Sequence, residues 1–318
     1  MPAEATSWVF QGTSPLRLDR FLADQLTGIS RSYIQDLIVQ GIVRVNGIKA
    51  RKGHLLNEGD RVDMDSFARP EEREIEPSPD IPLHILWQSS DFLVVDKPAG
   101  LPTHPNDFSD RNTLANALLA RFPAIGNVGD DRLRPGIVHR LDTDTSGLLL
   151  IARTQETFRV LRKLFDERKI QKTYVALVLG DIEQPGEIRA PLAHHPKNPR
   201  KMVAVKEGTE IRSRPRDALT LYEPIERFGL YTLLKVQTKS GRMHQIRVHL
   251  SSIGHPLAGD RLYQTSQERS RDSLGMKRHF LHATEIKVPI PSDPSPHCFE
   301  NPVAAELQTV LEQLRHRP

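Results

Sequence analysis

The stretch from Gly136 to Ala152 constrains the fold of this chain more than any other, because two apolar runs enclose a polar centre. Leu148–Ala152 is short and continuously apolar, which predicts a strand buried on both faces. The polar centre holds Asp142, whose carboxylate is costly to bury unless a cation pairs with it. The residues alone leave two interpretations of Asp142 open: a structural ion pair at the end of a strand, or an active carboxylate on a rigid support.

The same stretch resembles the catalytic motif of the RluA-type pseudouridine synthases, which isomerise uridine in RNA. The family pattern is His-Arg-Leu-Asp, two further residues, Thr-Ser-Gly and a leucine-rich strand, and every one of these positions is matched from His139 onward. The resemblance implies that Asp142 is the catalytic carboxylate. It also implies that His139 and Arg140 contact the substrate RNA, with Arg140 serving as a wedge or a phosphate contact.

Two more motifs carry the resemblance. The family's Lys-x-Tyr-x-Ala-x-Val-x-Gly strand is matched, which places its active-site tyrosine at Tyr174, where it would stack on the uracil and assist deprotonation. The pattern Gly-Arg-x-His-Gln-Ile-Arg-Val-His is also matched, and it places the basic active-site residue at Arg247. Such a cation within about 4–6 Å would keep Asp142 ionised. Arg242 is assigned to an RNA phosphate. Without the resemblance, Tyr174 would be read as core packing and both arginines as surface charges.

The prolines between Asp96 and Pro105 exclude a central strand and predict a surface loop. In the family a run of this kind lies by the active site. The resemblance therefore implies that Lys97 and His104 help to hold RNA, whereas the residues alone fit a rigid loop with exposed charges equally well.

Near the N-terminus, two short helices are predicted, followed by a hairpin at Asn46-Gly47, because Asn-Gly suits the positive φ angles of a type I′ turn. This order of elements, interspersed with basic residues, resembles the RNA-binding domain of the ribosomal protein S-four type over residues 14–65. The resemblance implies phosphate contacts that position RNA without reading its sequence; a solvated basic face is the alternative. The predicted RNA contacts are Arg31, Arg44, Lys49, Arg51 and Lys52.

The rest of the chain is predicted to form a linker and a larger domain. Charge and proline at 66–80 indicate an extended linker. Residues 81–295 are predicted to be the catalytic domain and 296–318 a C-terminal tail with a helix opening near Pro302. Together with the resemblance, these patterns predict an α+β chain: a small N-terminal α/β RNA-binding module, then a domain with a mixed, mainly antiparallel sheet, flanking helices and a central cleft.

The length and composition of the chain exclude several structural and functional classes. The 318 residues suffice for about two domains. The single cysteine, Cys298, excludes an intrachain disulfide and a zinc site built on paired cysteines. No metal is predicted at the adjacent His194 and His195, since no cysteine or carboxylate cluster nearby completes a ligand set. No signal peptide and no apolar run of about 18 residues is apparent, which leads us to expect a cytoplasmic protein without a membrane partner.

The resemblance implies an RNA pseudouridine synthase, and an isomerisation without redox change demands no cofactor. The expected partner is RNA, most specifically large-subunit ribosomal RNA or pre-ribosomal particles, bound by a monomer with no obligate protein partner. The target nucleotide would have to be flipped out of its helix. The alternative is a non-catalytic RNA-binding factor for ribosome assembly. A glycoside-type hydrolase using Asp142 and Asp144 is disfavoured, because nothing places the second carboxylate across a sugar.

Overall fold

The computed structural model separates the chain into two compact units, which we call unit 1 (Met1–Glu74) and unit 2 (Ile75–Pro318). Each unit is described by itself. The structure describes residues 3–27, 29, 31–68, 74–289 and 297–316. Residues 69–73 of the predicted linker and 290–296, where the predicted catalytic domain meets the predicted tail, lie outside this part of the chain.

Unit 1 combines two helices with short antiparallel strands. Its elements are β1 (Thr6–Val9), β2 (Leu16–Arg17), α1 (Leu18–Gln25), α2 (Arg31–Gln40), β3 (Val43–Val45), β4 (Ile48–Lys49), β5 (Leu55–Leu56) and β6 (Arg61–Met64). The strands pair as a four-stranded sheet, β1-β6-β3-β4, and a separate pair, β2-β5. The two predicted helices and the hairpin after them are therefore confirmed.

The turn of that hairpin has the predicted backbone. Asn46 and Gly47 have φ angles of 52° and 78°, and they join β3 to β4. Positive φ at both central residues is what a type I′ turn requires. The two helices bury one apolar stripe each; Leu22 of α1 and Ile34 and Ile38 of α2 are fully buried. These three side chains anchor the core of unit 1.

Unit 2 holds the remaining elements. They are β7 (His84–Gln88), β8 (Phe92–Lys97), α3 (Leu114–Arg121), β9 (Ser146–Ala152), α4 (Gln155–Asp166), β10 (Gln171–Leu179), β11 (Gly186–Arg189), β12 (Leu192–His194), β13 (Met202–Ala204), β14 (Leu219–Arg227), β15 (Tyr231–Thr238), α5 (Gln245–Ser252), α6 (Ser266–Arg271), β16 (Leu281–Val288), β17 (His297–Glu300) and α7 (Ala305–Arg315). Nine of these strands form one sheet in the order β11-β14-β15-β10-β16-β9-β8-β7, with β17 also pairing with β16.

Neighbouring strands of this sheet run antiparallel, apart from the parallel pairing of β16 with β9. The mixed, mainly antiparallel sheet and the α+β class are therefore confirmed. All seven residues of β9 are buried, as the continuous apolar run predicted. Helix α4 covers part of this strand, and its N-cap Thr154 accepts a hydrogen bond from the Thr157 backbone.

The joint between β9 and β16 is a close approach of two backbones. Ser146 lies opposite His282, and Gly147 lies opposite Ala283. Gly147 has a φ angle of +112°, and a Cβ atom at this position would collide with the backbone of Ala283. Glycine meets both demands, since it lacks Cβ and tolerates positive φ. The Gly of the Thr-Ser-Gly pattern therefore has a physical role, which is to let β16 lie directly beside β9.

Candidate active site

A cleft of about 480 Å³ lies in unit 2. Its walls come from the loop before β9, the end of α4, strand β10 and the segment that leads from β15 into α5. Two carboxylates, Asp142 and Asp166, line it together with nine basic side chains. The basic residues are Arg134, Arg140, Arg162, Arg168, Lys172, Arg216, Lys239, Arg242 and Arg247. This excess of positive charge suits a polyanionic ligand.

Asp142 lies in the loop before β9, and its side chain is 16% exposed. Its Oδ2 accepts a hydrogen bond from Arg247 Nη1 at 3.1 Å, and His244 Nε2 lies 3.8 Å from the same oxygen. Burial favours the neutral acid, but His244 and Arg247 more than offset it, so the pKa of Asp142 lies below its ordinary value. Asp142 is therefore a carboxylate at neutral pH, with a cation beside it and access to the cleft.

Arg247 is held from behind by a second carboxylate. Its Nε and Nη2 donate to the two oxygens of Asp260 at 2.7 and 2.9 Å. Its guanidinium also lies over the ring of Tyr263, 5.1 Å from the centroid. Although burial opposes the charge, the bonds to Asp260 and Asp142 raise the pKa of Arg247. The bidentate contact therefore fixes the guanidinium and leaves Nη1 directed at Asp142.

His244 approaches Asp142 from a left-handed backbone conformation, with φ 56°, immediately before α5. Its Nδ1 lies 2.8 Å from the Tyr263 hydroxyl, which accepts a hydrogen bond from the Met202 backbone. The hydroxyl proton then points to Nδ1, so the network assigns the imidazole proton to Nε2, on the side of Asp142. Burial lowers the pKa of His244, and the charge of Asp142 partly opposes this shift.

Tyr174 lies on β10 between its partners Val236 of β15 and Ala283 of β16. It is 7% exposed and lines the cleft. Burial and the charge of Asp142 raise the pKa of the phenol, which therefore stays protonated. The structure thus brings the three predicted catalytic residues, Asp142, Tyr174 and Arg247, to one cleft, although they lie far apart in the sequence.

Arg140 and Arg242, predicted to contact RNA, also line the cleft. Arg140 is exposed, and the Arg242 Nε donates to the carbonyl oxygen of Asp217 at 3.3 Å. Neither guanidinium group is paired with a carboxylate within the described residues. They remain predicted phosphate contacts.

The two histidines predicted to hold RNA line the same cleft but make local contacts. His104 is 8% exposed, with Nδ1 2.9 Å from the Pro105 carbonyl oxygen. His139 accepts a hydrogen bond from the Leu150 backbone at Nε2, and its ring packs at a tilt against Phe165, with the centroids 4.7 Å apart. One nitrogen of each ring is therefore committed to the protein, and burial lowers the pKa of both.

The prediction for Lys97 needs correction. Strand β8 extends through Lys97, whose side chain is fully buried rather than displayed on a loop. Its ammonium donates to the carbonyl oxygens of Pro98, Leu101 and Thr143 at 2.8, 2.8 and 2.9 Å. All three protons are thus used inside the protein, so Lys97 braces the loop that carries Asp142 instead of contacting RNA.

The predicted RNA contacts of unit 1 fall into two groups. Arg31 and Arg44 are already paired, with Asp19 and Asp65 respectively, so any phosphate would have to share their guanidinium groups. The other three are exposed and have no carboxylate partner among the described residues. These are Lys49, Arg51 and Lys52.

Sequence reasoning missed three residues of the site: Asp260, His244 and Tyr263. His244 lies inside the matched Gly-Arg-x-His-Gln motif, and the other two lie in the short run Gly259–Tyr263, a turn signal that follows α5 in the sequence. What the motifs could not show is that the turn reaches back to Arg247. A fourth group, the buried His279, bonds Thr145 through Nε2, and burial lowers its pKa to about 3.

Within the described residues, one group of side chains has the spacing of metal ligands. It consists of Glu285, Cys298 and Glu300 on strands β16 and β17, outside the cleft. Two of the three are exposed. No helix in the described part of the chain is long and apolar enough to cross a membrane.

Comparison with known proteins identifies the family. The model of the RNA pseudouridylate synthase family matches residues 91–252, and that of the S4 domain matches residues 16–62. An uncharacterized RNA pseudouridine synthase of Aquifex aeolicus is 43% identical over 78% of this chain and 76% of its own length. The ribosomal large subunit pseudouridine synthase D of Nitrosomonas europaea is 37% identical over 95% of this chain and 86% of its own.

A solved structure agrees with these relatives. Human RNA pseudouridylate synthase domain containing 1 matches with a TM-score of 0.56 and 27% identity, over 77% of this chain and 99% of the human chain. The chain therefore belongs to the RNA pseudouridylate synthase family and carries an S4 domain. The resemblance inferred from the motifs is confirmed, and with it the enzyme class: an isomerase that acts on RNA.

Proposed function

We propose that this enzyme isomerises specific uridines of large-subunit ribosomal RNA, with Asp142 as the catalytic carboxylate. The observation that carries the proposal is the ion pair of Asp142 and Arg247 in a cleft lined by basic side chains. The choice of RNA is supported by the relative from Nitrosomonas europaea, whose name specifies the large ribosomal subunit. The proposed place of action is the cytoplasm, with the chain acting as a monomer.

Each proposed role follows from the surroundings of the side chain. Asp142, ionised beside Arg247, acts at the sugar, either as a nucleophile or by removing a sugar proton. Arg247, fixed by Asp260, holds the carboxylate in its charged form. Because the raised pKa of Tyr174 keeps the phenol protonated, we assign this residue to stacking on the uracil rather than to proton removal.

The reaction itself explains the shape of the site. The N1–C1′ bond of uridine breaks, the base turns, C5 joins C1′, and the C5 proton is lost while N1 gains one. A base inside a helix is inaccessible, so the nucleotide is extruded at a cost of a few kcal/mol. We propose that Arg140, exposed at the cleft, fills the space left by the base or holds a neighbouring phosphate.

We also propose a division of labour along the chain. Residues 14–65 position the RNA through phosphate contacts, the segment 66–80 links them to the catalytic domain at 81–295, and 296–318 forms a tail. Helix α7 of this tail buries Leu307, Leu311 and Leu314 within unit 2. The exposed cations of β4 and the loop after it, rather than the paired Arg31 and Arg44, are the preferred phosphate contacts of the first region.

The test is isomerisation of an unmodified large-subunit ribosomal RNA transcript by the wild-type protein and by Asp142→Asn. We expect pseudouridine at defined positions with the wild type and a rate at least about 100-fold lower with the variant, the scale of a lost catalytic acid or base. The dissociation constant for the transcript should stay within about threefold, because Asp142 contributes no phosphate contact.

Each outcome has a distinct meaning. An Asp142→Asn protein that forms pseudouridine at the wild-type rate contradicts the role of Asp142. A wild-type protein that binds the transcript but isomerises no RNA supports the alternative of an assembly factor. Transfer RNA transcripts, assayed in parallel, test the substrate: their modification without that of ribosomal RNA would refute the choice of substrate but not the chemistry.

A further inference from the structure

We propose that Lys172 binds an anionic oxygen of the uracil while the base is detached from its sugar, and is thus a further catalytic residue. This inference rests on the proposed function, because it takes the uridine to be processed in the cleft beside Asp142. The structure supports it through the placement of Lys172, its lack of a partner and the chemistry of the detached base.

Lys172 and Tyr174 lie on the same face of β10. Alternate residues of a strand share a face, and both side chains line the cleft. Thr173, between them, faces the other way, where its hydroxyl donates to Glu285 Oε1 at 2.9 Å. A base stacked on Tyr174 would therefore lie next to the ammonium of Lys172.

The charge of Lys172 has no partner in the protein. The residue is 8% exposed, and its Nζ has no hydrogen bond or carboxylate within bonding distance among the described residues. The Nζ lies 5.6 Å from the centroid of the Phe165 ring, and the charge of Lys172 helps to lower the pKa of His139. Burial lowers the pKa of the ammonium to about 8. An unpaired cation at such a position costs stability, which calls for a ligand that offsets the cost.

Lys97 provides an internal comparison. It is also buried, but its ammonium donates hydrogen bonds to three backbone carbonyl oxygens, which stabilise its charge within the fold. Lys172 has no such acceptors and instead lines the cleft. Of these two buried lysines, one is therefore structural, and the other keeps its three N–H donors for something that enters the cleft.

The detached uracil fits this requirement. When the N1–C1′ bond breaks with both electrons remaining on N1, the negative charge spreads over N1, O2 and O4 of the ring. The electron pair is returned when C5 bonds to C1′, after which C5 loses its proton and N1 gains one. A fixed cation in a dry site stabilises charge that develops in this way. Lys172 remains protonated throughout and transfers no group.

A phosphate of the same nucleotide has the same chemistry, since it also presents an anionic oxygen. The position of Lys172 beside Tyr174 favours the base, whereas the more exposed Arg140 and Arg242 are better placed for the backbone. The two sources differ in what they control. A phosphate contact affects binding and its salt dependence, while a contact with the detached base affects the rate of the bound complex.

The experiment measures both quantities for Lys172→Met, which removes the charge, and Lys172→Arg, which keeps it. Single-turnover rates are taken at saturating enzyme on the unmodified large-subunit transcript, and dissociation constants over a range of KCl. Lys287→Met is the control, because Lys287 lies on the adjacent β16, its side chain is 41% exposed and it pairs with Glu285. We expect a rate about 100-fold lower for Lys172→Met, as for loss of one oxyanion donor, with binding unchanged.

The expected pattern includes substantial recovery of the rate in Lys172→Arg and wild-type behaviour in Lys287→Met. A Lys172→Met rate within threefold of wild type overturns the proposal. So does weaker binding, with a salt slope reduced by about one and an unchanged saturated rate, which would identify a phosphate contact. If Lys172→Met does not fold, Lys172→Gln is judged by the same criteria. Loss of rate in Lys172→Met together with wild-type activity of Asp142→Asn would refute the proposed function instead.

Discussion

Two acidic side chains of this protein, Asp19 in unit 1 and Asp142 in unit 2, lie among arginines but differ in how completely they are bonded. Asp19 is 2% exposed and accepts two hydrogen bonds each from Arg17 and Arg31 and one from Gln35. Five donors leave little capacity on a carboxylate, which has about four lone-pair sites. Asp19 is therefore a structural junction between α1 and α2.

Asp142 accepts far fewer hydrogen bonds than Asp19. It accepts one hydrogen bond, from Arg247, while that arginine gives two of its bonds to Asp260. The imidazole of His244 is near but at 3.8 Å is not bonded. One oxygen of Asp142 is thus without a hydrogen bond from the described residues, on the side of the cleft. Burial beside an arginine is common to both carboxylates, so it does not identify the active one. What distinguishes Asp142 is an oxygen that can still accept a hydrogen bond.

After Asp142→Asn itself, the largest expected effect within this comparison comes from Asp260→Asn. An amide cannot hold the guanidinium by two charged bonds, so Arg247 would be free to turn fully towards Asp142 and occupy it. We expect the single-turnover rate to fall about 10- to 100-fold, as for a misplaced catalytic group. The dissociation constant for RNA should not change.

A nearby carboxylate provides the control for this experiment. Asp272 accepts hydrogen bonds from the Gly259 backbone and the Gln264 side chain beside the same turn. Asp272→Asn should lower the melting temperature without an equal loss of rate in the protein that remains folded. If Asp260→Asn behaved in the same way, the positioning of Arg247 would not depend on Asp260.

We expect Asp19→Asn to lower the stability of unit 1 rather than the rate of isomerisation. Replacing this carboxylate leaves two guanidinium groups without their partner, and we expect unit 1 to lose about 2 kcal/mol of unfolding free energy. The chain has two tryptophans, so a Trp87→Phe background leaves Trp8 as the fluorescent reporter of unit 1. The control is Asp24→Asn, since Asp24 is an exposed residue of α1. Loss of isomerisation with unchanged stability would contradict a structural role for Asp19.

The smallest expected effect is on the stability of unit 1 at acid pH. Hydrogen bonds, first from Arg17 and then from Arg31 and Gln35, outweigh burial and lower the pKa of Asp19 below its value of about 3.9 in an unfolded chain. Its contribution to stability is therefore complete above about pH 5 and is lost as the pH falls towards the folded pKa. Unfolding curves of the Trp8 reporter at pH 7 and pH 3 should differ less in Asp19→Asn than in the parent. Equal differences would show that other groups control acid unfolding.

Local patterns predicted the elements of this fold well. The turn residues Asn46-Gly47 led to the correct hairpin, and the continuous apolar run Leu148–Ala152 led to the buried strand β9. Strand β1 had no comparable signal, because its pattern is mostly exposed and its partner β6 lies over 50 residues away. Such a strand is defined by its pairing rather than by its own residues.

The active site was likewise predicted only as far as local sequence patterns reach. The motifs led to Asp142, Tyr174 and Arg247, but periodicity alone could not decide between a structural and an active Asp142. Lys97 was misjudged because a lysine at a strand end has the same sequence signature whether its ammonium enters solvent or turns inward to carbonyl oxygens. Asp260 was missed because its partner comes from α5 through tertiary packing alone.

The joint between β9 and β16 has a consequence for the order in which the enzyme is made. Strand β16 (Leu281–Val288) lies between β9 and β10, so it joins the half of the sheet that begins with β7 to the half that contains β15. During synthesis, both halves leave the ribosome before the strand that unites them. The loop of Asp142 and the strand of Tyr174 can therefore take their final places only after β16 has emerged, as a late, long-range step. Nascent chains that stop before Leu281 should have no isomerase activity.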